Sequence, residues 1–159
     1  INLKKIFSIV ALFATGFVQH SFAQDSFKIT PSQILTSYSN LKDALVGSNS
    51  NAAAASATAL IKAINETDKE RIKAENRNIL LSDANAISQN KDLKVQREIF
   101  ARLSTNMVEF AKTVKLSTEP VYQQFCPMKK ASWLSSSKAI KNPYYGSAML
   151  TCGSIKETL

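Results

Sequence analysis

Apolar residues recur at helical spacing in several stretches of the chain. Ile34, Tyr38, Leu41 and Leu45 form the first stripe, which predicts an amphipathic helix. The preceding segment 30–33, Thr-Pro-Ser-Gln, is typical of a helix start. It offers an N-cap threonine, a proline at the first helical position and a glutamine at the third. We therefore expect the first helix to begin there.

Three further helices follow from the same kind of pattern. Ser48 or Asn49 can cap a second, alanine-rich helix. A third is expected over Ile79–Gln89, after a charge-rich connection, and Asp92 is a suitable N-cap for a fourth. The fourth helix has the clearest apolar stripe: Ile99, Phe100, Leu103, Met107, Phe110 and Val114. Four helices with short connections predict an all-α fold, an antiparallel four-helix bundle.

The pattern changes from about residue 118 to residue 155. Helical periodicity is lost there, and prolines, glycines and most of the tyrosines gather. Such a segment is typical of loops and short elements rather than of another long helix. We expect a loop-rich C-terminal cap with one or two short strands or helical turns, packed on the helices.

Residues 1–23 have the layout of a secretory signal peptide. Lys4 and Lys5 precede an apolar run over residues 6–17, and small residues occupy the −3 and −1 positions of a cleavage site after Ala23. The run is shorter than the roughly 20 residues that span a bilayer. The sequence therefore predicts export to the periplasm, no transmembrane segment after cleavage, and a single mature domain over residues 24–159.

Charge and histidine content exclude several functions. The net charge is +8, but no run of five like charges occurs, so nucleic acid is not an expected partner. The single histidine, His20, lies in the predicted signal peptide. The mature chain then cannot form a Ser-His or Cys-His catalytic pair or a histidine-ligated metal site.

No enzyme is predicted. Ser135 and Lys138 have a Ser-x-x-Lys spacing, but one such match is expected by chance in a chain rich in both residues. The acidic residues are scattered singly, without a paired arrangement for acid–base chemistry. We expect neither catalytic residues nor an organic cofactor.

The C-terminal segment contains sulfur-bearing side chains that could bind a metal ion. Both cysteines and two of the three methionines occur as Cys126-x-Met128 and Met149-x-x-Cys152. An extended first pair and a helical-turn second pair would each place a thiol beside a thioether. Two thiolates and two thioethers would form a soft site for Cu(I) or Ag(I), whereas methionine is not a usual zinc ligand.

A disulfide explains the same cysteines equally well from the residues alone. Exported proteins commonly pair their cysteines. A Cys126–Cys152 bond would close a loop of about 27 residues and stabilise the fold by about 3–4 kcal/mol. In that case Met128 and Met149 would be packing residues, and the protein would be a structural or interaction module.

The C-terminal residues also resemble a known family. The residues that carry the resemblance are Tyr122, Phe125-Cys126-Pro127-Met128, Trp133-Leu134, Asn142-Pro143-Tyr144-Tyr145-Gly146 and Met149-Leu150-x-Cys152-Gly153. They are similar to an uncharacterised family of bacterial exported proteins, which also occurs as a C-terminal module on adaptor subunits of heavy-metal efflux pumps. The resemblance implies metal handling, with an efflux adaptor as a partner, and moves the preference towards a metal site.

Overall fold

The protein is described by a computed structural model that covers residues 30–159, and the signal-peptide prediction lies outside these residues. Four helices occupy most of it: α1 (Pro31–Val46), α2 (Ser50–Glu66), α3 (Ala74–Ser88) and α4 (Leu93–Thr113). Three strands follow: β1 (Tyr122–Cys126), β2 (Ala131–Ser135) and β3 (Ser154–Thr158). The expected four helices are confirmed. Each helix packs against the next along the chain, and α4 also packs on β2.

The helix starts follow from local capping. The Gln33 side chain accepts the backbone N–H of Thr30 at 3.0 Å, which is one half of the expected capping box. Asn49 caps α2 through its side-chain oxygen, 2.9 Å from the Ala52 nitrogen. Asp92 caps α4 by accepting two backbone N–H groups of the first turn. These three predicted helix starts are confirmed.

The predicted start of the third helix was wrong. α3 begins at Ala74, five residues before the apolar pattern does. The extra turn consists of good helix formers and polar residues, and it also contacts the end of α2. Arg77 donates hydrogen bonds to the backbone oxygens of Asn65 and Thr67, which end α2. The start of α3 thus caps the end of the preceding helix.

The C-terminal segment holds three strands rather than one or two. They form an antiparallel sheet in the order β2-β1-β3, and a short 3-10 helix, Gly146–Met149, precedes β3. The strands are five residues each, too short for periodicity to reveal. The third strand was missed because its residues are all exposed, which leaves no buried face to detect.

Aromatic side chains join the helices to the sheet. The Tyr38 ring on α1 stacks on Phe100 of α4, with ring centroids 5.3 Å apart. Phe100 meets Tyr144 at 6.0 Å, and Tyr144 meets the edge of Trp133 on β2 at 5.9 Å. All four residues are buried. The helices and the sheet therefore share one hydrophobic core.

Tyr38 adds a polar connection to this core. Its hydroxyl accepts the backbone N–H of Leu134 on β2 at 3.1 Å and lies 2.7 Å from the Ser104 hydroxyl on α4. One phenol thus ties α1, α4 and β2 together. Within residues 30–159, no helix combines the length and apolar character needed to cross a bilayer.

Candidate functional site: a pair of thiols

The structure brings the two cysteines side by side. Their sulfurs lie 3.9 Å apart, and both are free thiols. A disulfide would require about 2.05 Å. Cys126 is fully buried at the end of β1, whereas Cys152 is partly exposed just before β3. The pair is thus accessible from one side only.

Strand register explains how residues so far apart in sequence meet. β3 runs antiparallel to β1, with Phe125 opposite Ser154. Cys126 follows Phe125, and Cys152 lies two residues before Ser154, so both reach the same end of the two strands. The sheet itself therefore positions the thiols, with Cys126 also opposite Ala131 of β2.

The turn between β1 and β2 directs backbone N–H groups at both sulfurs. Residues 127–130 form this turn, which ends at Lys130 with a φ of 56°. The Lys129 nitrogen lies 3.4 Å from the Cys126 sulfur and donates to it. The Met128 backbone donates to Cys152. Such donors stabilise a thiolate more than a thiol, because they point at the developing negative charge.

The pKa of the Cys152 thiol depends on its desolvation and on the adjacent Cys126 thiol. Partial desolvation raises the pKa of the Cys152 thiol, and the adjacent Cys126 thiol raises it further. The Met128 N–H acts in the opposite direction. An ammonium group beside a sulfur would favour the thiolate. The Lys129 ammonium instead forms an ion pair with Glu98 of α4, so its backbone rather than its charge contacts the sulfur.

Of the two methionines, Met128 departs from the expected arrangement and Met149 follows it. Met128 does not extend the strand beyond Cys126, because β1 ends there and Pro127 opens the turn. Its side chain is 63% exposed. Met149 ends the short 3-10 helix, and its backbone oxygen accepts the Cys152 N–H at 3.1 Å, in keeping with the expected turn. Its side chain is 36% exposed.

Asn142 holds the loop that carries Cys152. Its side chain donates to the Cys152 oxygen at 2.7 Å and accepts the Tyr144 N–H at 2.8 Å. Its backbone donates to the Leu150 oxygen at 2.8 Å. Sequence analysis identified only a turn here. An Asn-Pro dipeptide signals an Asx turn, but not the long-range bond to Cys152.

Gly153 is required beside Cys152. Its φ is 155°, and an added Cβ would lie 2.9 Å from a ring carbon of Trp133 and 3.0 Å from the Phe125 oxygen. Only glycine allows this approach of the backbone to the indole. Trp133 is fully buried, and its indole N–H has no partner among residues 30–159.

One cavity lies away from the thiols. Its volume is about 520 Å³, and it lies at the opposite end of the sheet, along residues 111–121 and the chain end at Leu159. No cysteine or methionine lines it. Among the described residues, no three His, Cys, Asp or Glu side chains gather into a metal-binding group. The thiol pair is therefore the candidate functional site, and the thioethers of Met128 and Met149 are the other sulfur atoms close to it in sequence.

These features define a mostly helical protein whose C-terminal sheet carries a thiol pair. Residues 34–119, more than half of the chain, match the family model described as protein of unknown function (DUF3347), and the chain belongs to this family. No curated protein and no solved structure matches it significantly. The matched part comprises the helices and the connection to β1, so the thiol pair lies C-terminal to it.

Proposed function

We propose that the protein binds one soft metal ion, Cu(I) or Ag(I), through Cys126 and Cys152. The observation that carries this proposal is the 3.9 Å separation of the two free thiols. Two thiolates bound to one tetrahedral ion, with metal–sulfur distances of about 2.3 Å, lie about 3.8 Å apart. An ion could thus enter between these sulfurs with little change in their positions.

The surroundings of the pair favour a thiolate site. Backbone N–H groups of Lys129 and Met128 already point at the sulfurs, so part of the negative charge of two thiolates is compensated. The raised pKa of Cys152 means that binding releases a proton from this thiol at neutral pH. Metal affinity should therefore increase with pH up to that pKa.

Met128 and Met149 are the proposed additional ligands. Both side chains are exposed and close in sequence to a cysteine, so they can turn towards an ion without disturbing the core. Weak thioether ligands suit an ion that must leave again. The proposed mechanism is ligand exchange between sulfur sites, with no bond-making catalysis and no organic cofactor.

A Cu(I) titration of the reduced protein against a competing chromogenic chelator tests the proposal. Cys152→Ser, at the partly exposed position, should weaken binding strongly, and the double variant with Cys126→Ser should abolish it. Replacing Met128 and Met149 by leucine should weaken binding less. Met107→Leu, in the core of α4, is the matched control and should bind like wild type. Wild-type affinity in the cysteine double variant would refute the proposal.

The location and partner form a further part of the proposal. We propose that residues 1–23 direct export, that cleavage after Ala23 releases the protein into the periplasm, and that it passes the ion to a heavy-metal efflux adaptor. N-terminal sequencing of the protein from a periplasmic extract tests the export. We also propose that the helices form an antiparallel four-helix bundle, which the packing of successive helices and the Tyr38–Phe100 contact support.

The second candidate is a structural or interaction module with a Cys126–Cys152 disulfide. It is favoured by the same proximity, since the sulfurs need to approach by only about 2 Å to bond. Mass spectrometry after alkylation, with and without prior reduction, tests it. Two alkylated thiols in protein extracted without reductant would exclude the disulfide, whereas alkylation only after reduction would support it.

A further inference from the structure

A basic cleft lies beside the thiol pair, between the first turns of α4 and the C-terminal loops. Its volume is about 430 Å³. It is lined by Leu93, Lys94, Arg97, Glu98, Lys129, Tyr144 and Tyr145. Three cationic side chains thus face a single carboxylate. We refer to these residues as the basic cleft.

Arg97 is the fixed element of the basic cleft. Its Nε donates to the Pro143 oxygen at 2.9 Å, and one terminal nitrogen donates to the Leu45 oxygen and the Ser48 hydroxyl at 2.9 and 3.0 Å. Within residues 30–159, the other terminal nitrogen donates no hydrogen bond and no carboxylate pairs with the guanidinium. The side chain is therefore held in place by neutral acceptors while its charge is left uncompensated.

Two lysines add positive charge around Arg97. Lys94 is exposed and has no ion pair within the described part of the chain. Lys129 pairs with Glu98, its side chain being only 20% exposed. Asp92 already accepts the first free N–H groups of α4, so a ligand must be bound by side chains rather than by the helix end.

We propose that the basic cleft binds a carboxylate-bearing organic ligand, with Arg97 as the fixed contact and Lys94 and Lys129 as further cationic contacts. A guanidinium with a free terminal nitrogen suits a carboxylate. Leu93 and the Tyr145 ring provide apolar surface for a carbon skeleton, which an inorganic anion does not need. The ligand is either a free polycarboxylate or a glutamate-rich segment of a partner protein. The proposal does not depend on metal binding.

Calorimetric titrations with citrate, with hexaglutamate and with inorganic phosphate test the proposal on the full chain at low ionic strength. Saturable binding of citrate alone assigns a free polycarboxylate, and stronger binding of hexaglutamate assigns an acidic protein segment. Phosphate should bind more weakly than either. If neither carboxylate binds, or if phosphate binds as tightly as both, the proposal is overturned.

Variants locate the binding. Lys94→Gln combined with Lys129→Gln should weaken carboxylate binding at least about tenfold, the loss expected from one good charge contact. Lys62→Gln combined with Lys69→Gln removes the same charge from exposed positions outside the basic cleft and should leave affinity within about twofold of wild type. Equal losses in both double variants would mean a general charge effect and refute the site. Circular dichroism confirms that each variant is folded.

Discussion

Tyr38 makes a buried polar connection between the helices and the C-terminal sheet, and Tyr38→Phe tests its contribution directly. The substitution removes one oxygen from a side chain with no exposed surface and keeps the ring that stacks on Phe100. The lost hydroxyl accepts the Leu134 N–H at 3.1 Å and bonds the Ser104 hydroxyl at 2.7 Å. The perturbation is therefore polar, with almost no change in packing.

The expected loss of stability follows from the hydrogen-bonding groups that Tyr38→Phe leaves without a partner. Ser104 can turn to a carbonyl of the preceding helical turn, so its hydroxyl finds another partner. The Leu134 N–H is fixed on β2 in the buried region and has no such alternative. An unpaired buried donor costs about 1–3 kcal/mol, so the free energy of unfolding should fall by about that amount. Ser104→Ala should cost less in the Tyr38→Phe background than in wild type, because the pair is already broken.

Urea unfolding followed by circular dichroism and by Trp133 fluorescence measures these differences, since Trp133 is the only tryptophan and lies in the same core. Tyr122→Phe is the matched control. Its ring is half-buried on β1, and its hydroxyl makes no hydrogen bond within residues 30–159, so its effect should stay within about 0.5 kcal/mol. If Tyr38→Phe is as mild as the control, the Leu134 N–H has another partner and the reasoning is wrong.

Three further predictions concern other parts of the fold. Burial raises the pKa of Tyr38 and Tyr144 above their usual value of about 10, so the folded state keeps protons that the unfolded chain releases. The urea midpoint of unfolding should therefore fall as pH rises above about 10, and an unchanged midpoint would contradict this. Gly153→Ala should lower the free energy of unfolding in urea by about 2–4 kcal/mol, because its Cβ would lie 2.9 Å from the neighbouring indole. It should also change the alkylation rate of the thiols. A variant as stable as wild type would show that the backbone relaxes. In the wild type, the buried Asp83 carboxylate lies 2.6 Å from the Arg102 guanidinium, and Arg102→Ala leaves it without a partner. The free energy of unfolding should fall by about 1.5–3 kcal/mol, and Asp83→Asn should restore part of it in the same background. No recovery of stability would mean that an unpaired charge does not cause the loss.

The helices could be predicted because their signals are local. Thr30, Asn49 and Asp92 are each followed by a helix whose first N–H groups need the caps they offer. The start of α3 was missed because apolar periodicity begins only at Ile79. The turn before it is set by a contact between helices, made by Arg77, and such a contact leaves no periodic pattern.

The site could be predicted only in part. Residue types indicated Cys126 and Cys152 as the candidate site, but the distance between their sulfurs depends on which strand pairs with β1, and that is a non-local choice. The proposed extended pair of Cys126 and Met128 was wrong for a local reason. Pro127 is favoured at the second position of a turn, where it ends the strand. The basic cleft had no signal in the sequence, because its residues come from α4, the hairpin turn and a loop.

The family match and the thiol pair fall in different parts of the chain, yet the fold joins them. The match ends at residue 119, before β1, and the thiols lie beyond it. Tyr38 and Phe100, both in the matched part, contact Leu134 and Tyr144 in the part beyond it, and all these side chains are buried. The matched helices would therefore expose core surface if the sheet were removed. It follows that the helices and the sheet are stabilised by the same core, and that the proposed thiol site depends on residues of both parts.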